Sequence, residues 1–199
     1  IAQAHSPLRM TGTLAPSVIS NNLWGAQMLT QQLVQRSRPL AALPATHPRQ
    51  RLYFLGGIAS DYATAQRIRG FCDVLQAASP NAVLPEQINP CGYEAERAEA
   101  AVADLHDKLQ GLPRALFVNS TIALEGVVRF LNRLPRSAMN GCVVGCYDWD
   151  PFASALSWPV LMVTQDTGKL MGKAFELLDT EQLDPTVQIQ IAPSLVGGW

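Results

Sequence analysis

The sequence is poor in the residues that mark catalysis, metal binding or export. Its three histidines, His5, His47 and His106, lie near the start, in a Pro-rich stretch and on the charged face of an expected helix, and none has a partner at motif spacing. The four cysteines, Cys72, Cys91, Cys142 and Cys146, form no CxxC pair and have no histidine at ligand spacing. They read as reduced thiols, which excludes a zinc site or a dithiol motif. No GxSxG elbow occurs, Gly56-Gly57 is not continued by the third glycine of a dinucleotide fingerprint, and Gly168-Lys169 lacks the upstream glycine of a phosphate loop. No catalytic residue, metal or cofactor is expected. Apolar runs such as residues 158–163 are far too short to cross a bilayer, and no basic, apolar, small-residue leader opens the chain. The expectation is a cytoplasmic protein with no membrane partner; its start at Ile1 reads as that of a fragment.

Charge is also sparse. With 16% charged residues and a net charge of -1, the chain lacks the overall basic character of a DNA-binding domain. The distribution is uneven: Arg9, Arg36, Arg38, Arg49 and Arg51 face no acid before residue 53. A polyanion contact is one reading of that segment. The other is a solvated Pro-rich loop over residues 37–50, flanked by three of these arginines.

What is present is apolar residue in quantity, 48% of the 199 residues, and an alternating pattern. Short β-prone runs at 17–20, 51–55, 82–84, 115–118, 141–147, 160–164 and 187–191 alternate with helical periodicity at 23–36, 62–78, 93–109, 121–134 and 168–178. Asn119 or Ser120 can cap the helix from 121. Such βα alternation predicts an α/β fold, parallel sheets with helices on both faces.

In such sheets ligands bind outside the carboxyl ends of the strands. The residues expected there are Ser20-Asn21-Asn22, residues 57–61, Asn119-Ser120-Thr121, Tyr147-Asp148-Trp149-Asp150 and Gln165-Asp166. Amides, hydroxyls and carboxylates beside aromatic rings suit a carbohydrate, whose hydroxyls both donate and accept while its C–H face lies on an aromatic surface. The same residue types also form ordinary turns and caps. Asp148 and Asp150 as an acid/base pair is disfavoured by Pro151, which bends the chain away.

Leu55-Gly56-Gly57 followed by Ala65-Gln66-Arg67-Ile68-Arg69-Gly70-Phe71 resembles the core of the lactose/galactose-repressor family of bacterial transcription regulators. The segments 115–126, Val143 to Asp148 (similar to the family's VVGYDD exit) and Pro159 to Gln165 with Gly168 and Gly172 extend the likeness over residues 16–178. Residues 17–22 with Gln27-Met28-Leu29 are most similar to the fructose-repressor subgroup, the catabolite repressor/activator. The resemblance implies a periplasmic-binding-protein-like fold of two lobes with the first truncated. Residues 1–37 plus 165–182 would be the remnant of the amino-terminal lobe, and 49–160 plus 183–199 the carboxyl-terminal lobe. It implies a non-enzymatic effector-binding domain for a sugar or sugar phosphate, with fructose 1-phosphate favoured, in a homodimer that meets operator DNA only through a headpiece this chain lacks.

By position, the resemblance makes Arg67 the arginine that forks onto sugar oxygens. Asn22, Asn119 with its neighbour Ser120, Asp148 and the crossover residue Gln165 join it as ligand-binding residues. Asp150 replaces Asp148 if the stretch 149–159, which differs in length from several relatives, is aligned differently. Two alternatives stay open: a periplasmic-type sugar-binding protein, and an enzyme acting on a sugar phosphate.

Overall fold

The computed structural model describes residues 9–10, 13–14, 16–78, 83–179, 184 and 186–197. A hairpin of β1 (Arg9–Met10) and β2 (Thr13–Leu14) precedes β3 (Ser17–Ser20), α1 (Asn22–Arg36), β4 (Leu52–Leu55), α2 (Tyr62–Ala78), β5 (Ile88–Asn89) and α3 (Ala95–Leu109). Then come β6 (Ala115–Val118), α4 (Thr121–Leu131), β7 (Val143–Tyr147), β8 (Val160–Thr164), α5 (Thr167–Asp179), β9 (Gln188–Ile191) and β10 (Ser194–Val196).

The main sheet has six strands in the order β10-β8-β7-β6-β4-β5, with every pair parallel except β10 against β8. Its strands read as continuous apolar runs because helices cover both faces. On one face α1 and α2 bury Ala26, Leu29, Leu33, Phe71 and Leu75 over Phe54 and Phe117. The two strand phenylalanines stack at 4.9 Å, and Phe71 meets each edge-on at 5.8 Å. On the other face α3 and α4 set Ala98, Val102, Leu124 and Val127 over Leu55, Leu116, Val118 and Val144. A second, two-stranded parallel sheet pairs β3 with β9, and Leu170 of α5 packs there on Val18 and Ile191.

The expected alternation is therefore present, with local corrections. The strand expected at 82–84 does not form at Val83 and Leu84, while Ala82 lies outside the described residues. Pro85 opens a 3-10 turn whose Gln87 side chain accepts from the Leu84 backbone N–H at 2.8 Å, and the strand forms four residues later, where Ile88 and Asn89 pair with Phe54 and Leu55. The helix from 121 ends at Leu131 rather than 134, and β7 begins at Val143. β10 was not anticipated.

The expected lobe boundaries also need correcting. The segment 22–36, expected with the first lobe, is α1, and its apolar stripe lies on the six-stranded sheet against Phe117, Tyr147, Leu161 and Val163. Conversely, 188–191, expected with the second lobe, pairs with β3. The chain thus passes between the two sheets three times, after Ser20, after Thr164 and after Ile191.

Candidate functional site

All three crossings lie near the carboxyl ends of parallel strands, and polar side chains gather there. Asn21 caps α1 by accepting from the Trp24 N–H at 3.0 Å, which fixes the turn after β3 and leaves Asn22 buried as the helix begins. Arg67, on α2, is 3% exposed. Its Nε donates to Asn22 Oδ1 at 2.9 Å and its Nη1 to the backbone carbonyl of Asn119 at 2.6 Å. Asp148 Oδ2 stands 3.6 Å from Nη1, and the Tyr147 ring centre 3.7 Å from Cζ. A guanidinium withdrawn from water requires such compensation by acceptors, opposite charge and a π face.

Asp148 adopts a left-handed backbone, φ 79°, immediately after β7. A non-glycine residue held there costs of order 1 kcal/mol, and the conformation sets its carboxylate between Arg67 and Gln165, whose Nε2 donates to Asp148 Oδ1. Arg67, Asn22, Asn119, Asp148 and Gln165 are thus brought together. Ser120 and Asp150 are not in this network. Ser120 Oγ accepts from the Ala123 N–H at 3.2 Å and caps α4, and Asp150 Oδ1 accepts from the Phe152 N–H at 3.0 Å and caps a short 3-10 turn. Capping and ligand binding use the same residue types, so sequence alone does not separate them.

Three residues that join the network carried no sequence signal as a set. Asn119 Nδ2 donates to Thr64 Oγ1 at 3.2 Å, Thr64 Oγ1 lies 2.8 Å from the Tyr93 hydroxyl, and that hydroxyl donates to Asp61 Oδ2 at 2.7 Å. Tyr93 arrives through a long-range bridge in which Gly57 and Gly92 exchange both backbone hydrogen bonds at 2.8 Å. Gly57, at φ 77°, admits no side chain, since a Cβ would stand 2.5 Å from Thr64 Oγ1. Only Asp61 lay in a segment expected at a strand exit.

Among the described residues, the buried side-chain polar atoms without a hydrogen-bond partner are Ser20 Oγ, Asn119 Oδ1, Tyr147 OH and Gln165 Oε1. All four sit at the end of β3, β6, β7 or β8, beside or within the Arg67 network. Buried polar groups are normally satisfied, so this concentration marks a place prepared for a partner. Burial pushes the Tyr147 phenol up to about 12, with Arg67 opposing and Asp148 reinforcing the shift. Burial likewise holds the Cys146 thiol well above its usual value, so it stays a neutral thiol at neutral pH.

A recess of about 50 Å³ lined by Ser20, Asn22, Tyr62 and Gln66 adjoins the network. A larger hollow of about 500 Å³ lies along the β8–β10 side, between Trp149, Leu156, Trp158, Met162 and Val196, and includes no member of the network. His47 accepts from the Arg49 N–H and His106 packs edge-on against Phe130, both away from the network; His5 lies outside the described residues. Among the described residues, no helix is long and apolar enough to cross a membrane.

No protein-family model and no curated protein sequence matches the chain. Solved structures do. The Cra transcriptional dual regulator from Pseudomonas putida, in complex with fructose 1-phosphate, is 20% identical with a TM-score of 0.72, over 90% of this chain and 62% of that one. A complex of the transcriptional regulator CelR with cellobiose is 21% identical, TM-score 0.73, over 96% and 55%. A regulatory protein of the LacI family from Chloroflexus aggregans is 19% identical, TM-score 0.74, over 94% and 63%. The chain spans between 55% and 63% of the length of these three. It is similar to each at about a fifth of positions, and that likeness establishes the fold: the periplasmic-binding-protein-like α/β architecture of such regulators, with β3, α5 and β9 on one side of the crossings and the six-stranded sheet on the other.

Proposed function

We propose that this chain is the effector-binding part of a DNA-binding transcriptional regulator of the lactose/galactose-repressor family, and that its effector is a sugar or sugar derivative. The observation that carries the reading is the Arg67 network: a buried guanidinium whose partners come from the first crossing (Asn22), from β6 and β7 (Asn119, Asp148) and, through Asp148, from the second (Gln165). A ligand held here touches both sides of the crossings. It can therefore favour one mutual arrangement of the two sheets over another, to the extent that its affinity for the two differs. The similar structures carry fructose 1-phosphate in one case and cellobiose in another, a phosphorylated and an unphosphorylated sugar.

In this reading β3, α5 and β9 are the remnant of one lobe, and α1 to α4 with the main sheet are the other. The protein binds and does not catalyse, works in the cytoplasm, pairs with a second copy, and reaches operator DNA through a headpiece outside these residues. The test is a thermal-shift screen of sugars and sugar phosphates followed by calorimetry on those that raise the melting temperature, since a ligand of the native state alone raises apparent stability. Arg67→Ala is expected to weaken binding of any such ligand by roughly ten- to a hundredfold, the effect of losing hydrogen bonds to a charged group. A panel in which nothing shifts the melting temperature overturns the reading, and unchanged affinity in Arg67→Ala removes Arg67 from the site.

A further inference from the structure

The hydrogen-bond chain behind Asn119 has a fixed direction. A carboxylate only accepts, so the Tyr93 hydroxyl spends its single proton on Asp61. Thr64 then directs its own proton to Tyr93 at 2.8 Å or to Asp61 at 3.4 Å, and either choice leaves its oxygen free to accept. It accepts from Asn119 Nδ2 at 3.2 Å. Asn119 is therefore held with Nδ2 inward, and Oδ1 is left buried and without a donor. The same logic acts at the second amide, where the Asp148 carboxylate takes the Gln165 Nε2 and leaves Oε1 without a partner.

The site is consequently short of donors. Its open positions include two amide oxygens and the Asp148 carboxylate, and Arg67 has already placed Nε and Nη1 on Asn22 and Asn119. The charge is unbalanced in the same sense. Arg67 is the one cation joined to this network, Asp61 and Asp148 are both members of it, and Asp150 acts with Asp148 on the neighbouring Cys146. A sugar hydroxyl brings a donor to each amide oxygen and no charge. A phosphate ester brings acceptors only and a charge of about -1.5 to -2, which is repelled by the same carboxylates.

We propose that the site selects an unphosphorylated, hydroxyl-rich sugar against its phosphate ester, with Asp61, Tyr93 and Thr64 as positioning residues that keep Asn119 Oδ1 turned to the ligand. The proposal rests on the sugar-effector reading and decides between the two effector classes it left, against the fructose phosphate that the sequence resemblance favoured.

The experiment compares matched pairs on the 199-residue protein: fructose with fructose 1-phosphate, ribose with ribose 5-phosphate, and glucose with glucose 6-phosphate, by melting temperature and then calorimetry. At least one free sugar is expected to bind about tenfold or more tightly than its ester. In Asp61→Asn a carboxamide can donate to Tyr93 and let the chain reverse, so the Asn119 amide can turn its Nδ2 to the ligand. The ratio of sugar to ester affinity is then expected to fall by about threefold or more, and Asp61→Glu to restore it. A merely structural role would lower the melting temperature without moving that ratio. An ester that binds as well as or better than its parent sugar overturns the selection and leaves the sugar-effector reading standing. An unmoved ratio in Asp61→Asn overturns the positioning role. If no sugar and no ester binds, the effector reading falls and this inference falls with it.

Discussion

Tyr147 shows how one residue serves both packing and the site. Its ring is fully buried beneath the Arg67 guanidinium, while its hydroxyl has no hydrogen-bond partner and lies where a side chain on Gly25 would collide with it. Burial raises the phenol from 10.0 to about 12, so the folded protein keeps it neutral over a range in which the unfolded chain ionises it. The resulting stability is complete below pH 10 and is lost as pH rises through about 12. Tyr147→Phe should remove this alkaline loss. Urea unfolding of both proteins at pH 8 and near pH 11.5 should show the variant gaining relative to the parent by about 1–2 kcal/mol at the higher pH; parallel pH dependence in the two would refute the assignment. At neutral pH the variant is expected to be as stable as its parent or slightly more so, because it deletes an unsatisfied buried hydroxyl. The clustering of Asn22, Arg67, Asn119, Asp148 and Gln165 was legible because polar residues after strands in an α/β pattern converge by topology. Thr64 and Tyr93 were not, since Tyr93 reaches the network through the Gly57–Gly92 bridge, a contact between residues far apart in sequence.

At the scale of elements, two helix pairs pack through glycine. Gly70 of α2 faces α1, where a Cβ would stand 2.6 Å from the Leu23 carbonyl oxygen, and Gly126 of α4 faces α3 so closely that a Cβ would enter the Ala95 carbonyl. Alanine is the better helix former by about 1 kcal/mol, which opposes the overpacking cost of roughly 1–3 kcal/mol. At Gly126 the obstruction is backbone and cannot rotate away, so the overpacking cost wins. Gly126→Ala is expected to lose about 1–2 kcal/mol in denaturant unfolding, and a stabilised variant would show that α3 and α4 pack less tightly than described. Such close approaches cannot be read from one sequence, where these positions look only like weak points in a helix. Strands β4, β6 and β8 could be read, because each is an apolar run buried on both faces. β5 was displaced by the turn Pro85 starts, and β10, three residues on a sheet edge, carries too little pattern. The periodicity of α1 identified its apolar face but not the sheet that face covers.

The whole molecule is uneven in cohesion, and this bears on how it could transmit a signal. Two extensive apolar clusters hold the six-stranded sheet between its helices. The two-stranded sheet has only a small cluster built on Val18, Leu170 and Ile191, and α5 exposes Met171, Phe175 and Leu178 to between 51% and 63% on its other side. Free energy of local opening follows buried apolar contact, so β3, β9 and α5 should open without global unfolding, whereas β6 and β7 should not. Native-state hydrogen exchange tests this directly. Amides of 17–20, 167–179 and 188–191 should exchange through openings whose free energy is well below that of global unfolding, and those of 115–118 and 143–147 only at the global value. Equal protection in the two sheets would refute the picture. A bound sugar that engages Asn22 and Gln165 links the weaker sheet to the stronger one through their connecting residues, and should raise protection in 17–22 and 165–170 more than in 115–118. Protection gained only in the main sheet would mean that the ligand sits on that sheet alone and leaves the crossings unbiased.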